Sequence, residues 1–242
     1  MQALSASRGV ASQLPLFAPP VPSPRDVDVH ALSQPARAFT GDFYFTHRHG
    51  DRLWLAIGDV AGKGVHAAVV MAMIQEELER RIVSCATAAC DPATTMQRLH
   101  LFLRDLLPRN RFATAVIAQI HDDGTLVVAN GGHCPLLVAR RDGSIEAIDS
   151  TGPVVGMLST AEWRSVSVPF RRGDTLLAYT DGVIESRSKS DEEFGLYRLR
   201  AEFAAASRRR QAREVADELQ QTIVAHAGER RDDDLTMIVA RR

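Results

Sequence analysis

The chain predicts an α+β sandwich, and three observations carry that reading. Segments with strand character arrive in runs, segments with helical periodicity arrive in pairs, and the βαβα alternation of a doubly wound parallel sheet is missing. With 242 residues, 45% of them hydrophobic, one large core can be buried. Residues 1–25 are set apart: the stretch "QLPLFAPPVPSP" holds five of the eleven prolines and reads as an extended N-terminal arm. A single folded domain is expected over residues 26–242.

Within that domain the elements follow one another clearly. "VDVHAL", then residues 36–50 ("ARAFTGDFYFTHRHG") and 51–60 ("DRLWLAIGDV") read as strands, the last two joined across "RHGDR". A helix starts after Gly64 and runs through "VHAAVVMAMIQEELERRIV". A second is announced by Asp91 as N-cap and Pro92 at the first helical position, before "ATTMQRLHLFLRDLL". Four strands come next, "FATAVIAQIH", "TLVVANGG", "CPLLVAR" and "SIEAID", separated by the turn signals "DDG" and "RDG" and read as an antiparallel meander. "WRSVSVPF" and "DTLLAYT" are further strands, followed by helices in "LYRLRAEFAAA" and "AREVADELQQTIVAHA" and a last strand, "LTMIVAR". Residues 185–195, "ESRSKSDEEFG", read as a polar loop without structure of its own.

Composition removes several function classes. A net charge of −1 gives no overall field for nucleic acid or an anionic membrane. The three cysteines, Cys85, Cys90 and Cys134, lack zinc-type spacing, and their odd number argues against a secreted disulfide scaffold. No stretch approaches the roughly 20 apolar residues of a membrane span, and the start lacks the apolar run of a signal peptide. A cytoplasmic location is expected.

The chemistry is concentrated in aspartates beside glycines. "AIGDVAGKGVHAAVV" resembles a phosphate-binding loop, but only three residues separate Gly58 from Gly62, and Gly64 follows Lys63 where a P-loop has Ser or Thr. Asp59 ends an apolar strand, Asp42 lies in "TGDFY", Asp181 follows the strand "LLAYT", and Asp232, Asp233 and Asp234 precede the last strand. Aspartate is depleted in strands, so this recurrence needs a cause. Tight-turn chemistry explains "DDG" and "RDG". For the others a hard-cation site is the functional reading, since magnesium and manganese take oxygen ligands and two such ions can clamp a phosphoryl group and activate a water. Gly58, Gly62 and Gly64 would then let the backbone turn around a metal.

Six motifs, "TGDFYF", "AIGDVAGKGVHAAVVMAMI", "FATAVIA", "ANGGHCPLLV", "LLAYTDGVIESR" and "DDLTMIVAR", resemble in order and spacing the SpoIIE-type branch of the PPM metal-dependent serine/threonine phosphatases, relatives of protein phosphatase 2C. The resemblance implies a central β-sandwich flanked by helix pairs, an αββα arrangement, with a binuclear manganese or magnesium centre at one end. It implies that Asp59 bridges both ions, that the Val60 carbonyl is a further ligand, and that Asp42 and Asp181 serve the two ions. Thr236 sets the register so that Asp233 is the last ligand and Asp234 its neighbour. The chain departs from the family pattern at Thr40 and Phe45, and Ala61 stands where the eukaryotic relatives carry a proton-donating histidine.

The implied activity is hydrolysis of phosphoserine or phosphothreonine by metal-activated water. The implied substrate is a phosphorylated regulatory protein of the anti-sigma-factor antagonist type. A regulatory module whose catalysis has lapsed and a small-molecule phosphatase are the alternatives; oligomeric state, a homodimer included, is left open. Lys63 and Arg37 lie beside the expected ligands and are candidates for phosphate contact, with solvated surface charge as the alternative. Cys134 and Arg140 have the Cys-x5-Arg spacing of cysteine-dependent phosphatases, but Pro135 has no amide hydrogen to offer a phosphate and "LLVA" is strand-like, so Cys134 reads as a core or edge residue. His133 reads as a turn residue or as a neighbour of the metal site. Residues 185–195 are a candidate docking loop, tested through Glu192 and Glu193.

Overall fold

The computed structural model describes residues 26–36, 38–85, 90–108, 111–228 and 232–242. The order is β1 (Asp28–Gln34), β2 (Asp42–His49), β3 (Arg52–Val60), α1 (Val65–Val83), α2 (Pro92–Leu106), β4 (Ala113–His121), β5 (Thr125–Gly131), β6 (Leu136–Ala139), β7 (Ile145–Ile148), β8 (Val166–Pro169), β9 (Thr175–Tyr179), α3 (Gly182–Glu185), α4 (Gly195–Ala206), α5 (Ala212–Ala227) and β10 (Leu235–Arg241). They form two five-stranded sheets, ordered β2-β3-β4-β5-β8 and β1-β10-β9-β6-β7, in which the paired strands run antiparallel.

Strand alternation sorts the apolar residues into three cores and so sets four layers. Leu53, Leu55 and Ile57 of β3 point between the sheets, where they meet Val116, Ala118, Leu176 and Ile238. Trp54, Ala56 and Val60 of the same strand point outward onto Ile74, Leu78, Met96 and Leu99 of α1 and α2. From the other sheet Leu177, Tyr179, Met237 and Val239 turn outward onto Leu199, Phe203, Val215 and Leu219 of α4 and α5. The αββα arrangement is therefore the one expected. The α2 start is also as read: the Asp91 carboxylate accepts from Thr94 N at 2.9 Å, with Pro92 in the first turn.

Three readings are corrected. Residues 38–41 are not strand; β2 begins only at Asp42, whose N–H is taken by Thr40 Oγ1 at 3.0 Å, a local turn that competes with ladder pairing. The four strands from β4 to β7 are not one meander. β4 and β5 pair in one sheet, and β6 and β7 pair in the other. The chain crosses at residues 132–135, where Gly132 has φ of 69° and Pro135 cannot donate to a ladder; β8 takes the place beside β5. Lastly, residues 185–195 have structure of their own. α3 ends in the first of them, Arg187 and Glu193 form a β-bridge and an ion pair, and Ser188 N donates to Glu192 O at 2.9 Å.

Two cysteines also come together. Cys85 and Cys90, at the facing ends of α1 and α2, are joined as a disulfide with Cα atoms 6.1 Å apart. Cys134 is free and half-buried.

Candidate active site

Both sheets deliver carboxylates to the same end of the sandwich. Asp42 and Asp59 are cross-strand partners in β2 and β3. Because Tyr44 and Ile57, two residues away along each strand, lie in the inter-sheet core, alternation points both aspartates into the gap between the sheets. Asp181 follows β9 and begins α3, while Asp233 stands two residues ahead of β10. Chain reversals thus gather residues from positions 42 to 234.

Asp42 is held most firmly. It is 6% exposed, and its Oδ2 accepts from Thr180 Oγ1 at 2.8 Å. Thr180 Oγ1 in turn accepts from Thr236 N at 3.1 Å, and Thr180 N donates to Thr236 O at 3.0 Å. A hydroxyl with a proton to give and a lone pair to receive joins β2 to the end of β9 and to β10 in the opposite sheet. The Asp234 carboxylate is tied to the chain ahead of β2, accepting from Ala36 N at 2.7 Å.

Glycines make room here, by more than one route. A Cβ on Gly41 would stand 2.8 Å from Asp59 Oδ1 and 3.0 Å from the Val60 carbonyl oxygen, so its absence leaves those two oxygens an open side. A Cβ on Gly182 would collide with the Asp234 carbonyl, which brings the Asp181 and Asp233 segments together. Gly62 and Gly64 have φ of 124° and 84° and form the expected turn. Gly58 does not serve that turn. Its hydrogen packs against the Thr114 carbonyl and the Phe43 ring, and any side chain would clash.

The electrostatics follow from crowding. Burial, reinforced by the charges of Asp181, Asp233 and Asp234, pushes the Asp59 carboxyl up to about 7. Burial first, then Asp59 and Asp234, holds Asp42 well above the usual carboxylate range. Asp181 is raised by burial and by Asp233, with Lys63 acting in the opposite direction. Lys63 Nζ lies 3.2 Å from Asp233 Oδ2, but this side chain is 55% exposed, so the pair compensates little. Asp59, Lys63, Gly41, Phe39 and the three consecutive aspartates line a cleft of about 120 Å³. Arg37 lies outside the described residues.

The donor set fits a hard divalent cation, being carboxylates and a backbone carbonyl, all oxygen. Among the described residues no three Asp, Glu, His or Cys side chains stand close enough to enclose an ion as they are. Small hard cations are commonly held by one or two carboxylates with several waters completing the shell, and an open, rim-like arrangement suits that mode.

The cysteine alternative does not survive the geometry. Cys134 precedes β6 and Arg140 follows it, so a strand separates them, and Arg140 is engaged by Asp174 at 2.8 Å and by Glu146. Burial, followed by the charges of Asp181 and Glu185, pushes the Cys134 thiol up to about 12, away from a reactive thiolate. Residues that the sequence reading passed over are Gly41, Thr180 and the second role of Thr236. The "T" before "DG" and the "T" in "DLT" were visible, but only cross-sheet pairing shows that they meet Asp42.

An αββα sandwich with clustered carboxylates at the end of its inter-sheet gap defines the PP2C class of phosphatase fold. One solved member, the SiaA-PP2C domain of Pseudomonas aeruginosa, superposes with a TM-score of 0.78 at 20% identity, covering 88% of this chain and 85% of that one. The model of the family "Stage II sporulation protein E (SpoIIE)" matches residues 49–242, and the chain belongs to that family. Protein IcfG of Synechocystis is 30% identical over 92% of this chain, and phosphoserine phosphatase RsbU of Bacillus subtilis is 26% identical over 95% of it. The chain spans 39% of the length of IcfG and 68% of that of RsbU.

Proposed function

We propose that this chain hydrolyses phosphoserine or phosphothreonine on a regulatory protein of the anti-sigma-factor antagonist type, with two divalent ions, manganese or magnesium, at the carboxylate end of the sandwich. The observation that carries the reading is the gathering of Asp42, Asp59, Asp181 and Asp233 from both sheets at one end of the sandwich, where each of the first three is raised by burial and by its carboxylate neighbours and where Asp59, Asp233 and Lys63 line a cleft. Asp42, Asp59, Asp181, Asp233 and the Val60 carbonyl would hold the ions. Bound there, the ions supply positive charge for the phosphoryl group and acidify a water.

The chain's own part is positioning. Thr180 and Thr236 lock Asp42, Gly41 keeps the Asp59 and Val60 oxygens open, and Lys63 is free to swing between Asp233 and a phosphate oxygen. The names of the relatives support phosphoserine as substrate, since RsbU is a phosphoserine phosphatase. A cleft of about 120 Å³ at a rim is small for a free metabolite and accessible to a side chain on a folded surface.

Residues 26–242 are proposed as the functional unit and a cytoplasmic location is proposed with it; among the described residues no helix is long and apolar enough to cross a membrane. The experiment is hydrolysis of a phosphorylated anti-sigma-factor antagonist and of a small aryl phosphate, each after chelation and after adding Mn²⁺. Loss on chelation, return with Mn²⁺ and preference for the phosphoprotein are expected. Full activity after thorough chelation would remove the metal reading, and equal rates on both substrates would remove the protein-substrate reading.

A further inference from the structure

At the carboxylate end the chain passes from one sheet to the other through residues 132–135, and His133 sits inside that crossing. The residue is 9% exposed, and its Nδ1 lies 2.8 Å from Thr114 Oγ1. Thr114 is the cross-strand partner of Asp59 in β4, on the same inward face as Val116 and Ala118. The other ring nitrogen, Nε2, is buried and meets no partner at hydrogen-bond geometry, while the Tyr179 backbone carbonyl acts on the ring to favour a proton. Tyr179 ends β9, two residues before Asp181. The imidazole therefore spans from the strand beside Asp59 to the strand that delivers Asp181.

Its backbone is fixed as well. Asn130 accepts from His133 N at 2.9 Å and donates to the His133 and Cys134 carbonyls at 3.3 and 3.2 Å. A proton on Nε2 would face the Tyr179 carbonyl and leave Nδ1 to accept from the Thr114 hydroxyl. A buried imidazole hydrogen-bonded to β4 inside the crossing is set apart from a proton donor, which must reach the substrate.

From this geometry we infer that His133 is a positioning residue: a rigid spacer between the two sheet ends that sets the separation of Asp59 from Asp181 and hence the affinity of the site for its divalent ions. The inference rests on the metal reading given above. It differs from the effect of a mere core residue, because it predicts a specific loss in metal binding rather than in folding.

The test is calorimetric titration of the metal-free full chain with Mn²⁺, alongside thermal melting of the same metal-free samples. His133→Ala is expected to weaken Mn²⁺ binding by about 10- to 100-fold, the range of residues that orient metal ligands from behind. Thr114→Val, which removes the hydroxyl at nearly constant volume, is expected to move the affinity in the same direction and keeps the test valid if His133→Ala fails to fold. His133→Gln retains a donor toward Tyr179 and should recover most of the binding. Saturating Mn²⁺ should restore kcat in the Thr114→Val protein. Wild-type affinity in Thr114→Val, or a His133→Gln protein that binds no better than His133→Ala, overturns the spacer role. Absence of Mn²⁺ binding in the wild type would overturn the metal reading together with it.

Discussion

The two ends of the sandwich treat aspartate in opposite ways. At the end where β3 begins and β4, β6 and β10 finish, acids are matched by arginines or by backbone donors. Asp174 is 3% exposed, receives Arg140 Nη1 at 2.8 Å, and also accepts from Arg171 N at 2.9 Å. Asp122 pairs with Arg48, and the Asp123 carboxyl is held low by the side-chain and backbone donors of Thr125. At the other end Asp42, Asp59 and Asp181 are raised by burial and by one another, with exposed Lys63 the nearby cation. The same side chain is structural where its charge is satisfied and available for chemistry where it is not. On the proposed reading, a divalent cation would satisfy this cluster.

The largest expected effect breaks the uncompensated end. Asp59→Asn should lower Mn²⁺-dependent turnover by about 1,000-fold, on the scale of removing a preorganised charge contact. Its metal-free melting temperature should stay level or rise, because one member of a repelling group is gone. A turnover within tenfold of wild type would place the chemistry elsewhere.

The matched end should respond in the reverse sense. Asp174→Ala leaves Arg140 without its buried partner and the backbone donors Arg141 N and Arg171 N without their acceptor, which costs about 3 kcal/mol in stability. Turnover at a temperature where the variant remains folded should change by less than about threefold, as the residue is remote from the cleft. Denaturant titration and the phosphatase assay decide it together.

A pH series sharpens the contrast. The folded-state Asp59 carboxyl titrates near 7 in the metal-free protein, above its unfolded value of about 4. The folded state therefore holds the proton more tightly, and the stabilisation, complete below about pH 4, is lost as pH rises through about 7. Chelated protein should melt at a lower temperature at pH 8 than at pH 5.5. Added Mn²⁺ should reverse the order, since it binds the ionised carboxylates. A flat profile without metal would show that the acids do not repel.

The smallest effects are expected from side chains outside the cluster. Cys134→Ser should keep turnover within a few-fold of wild type, as a thiol pushed up to about 12 is no nucleophile. Replacing Glu192 and Glu193 with Ala breaks the ion pairs to Arg198 and Arg187 that close the loop after α3. Both pairs are surface contacts, so stability should fall by no more than about 1 kcal/mol. A selective loss on the phosphoprotein would then mean that the closed loop is needed for recognition, and equal rates would exclude it.

What the sequence determined by itself is local and periodic. The 19 residues of α1 were readable from helical spacing after Gly64, α2 from Asp91 and Pro92, and β3 from the apolar run in "RLWLAIGDV". The aspartates announced themselves because aspartate is depleted in strands. What only the tertiary structure decided is which strand lies beside which. A sequence pattern records that β5 and β6 are strands, but the exchange of sheets at residues 132–135 depends on pairing energies summed over distant partners. For the same reason the contacts of Thr180, Thr236 and His133 could not be read: a threonine or histidine near a turn has many uses, and only the meeting of two sheets shows which atoms it holds in place.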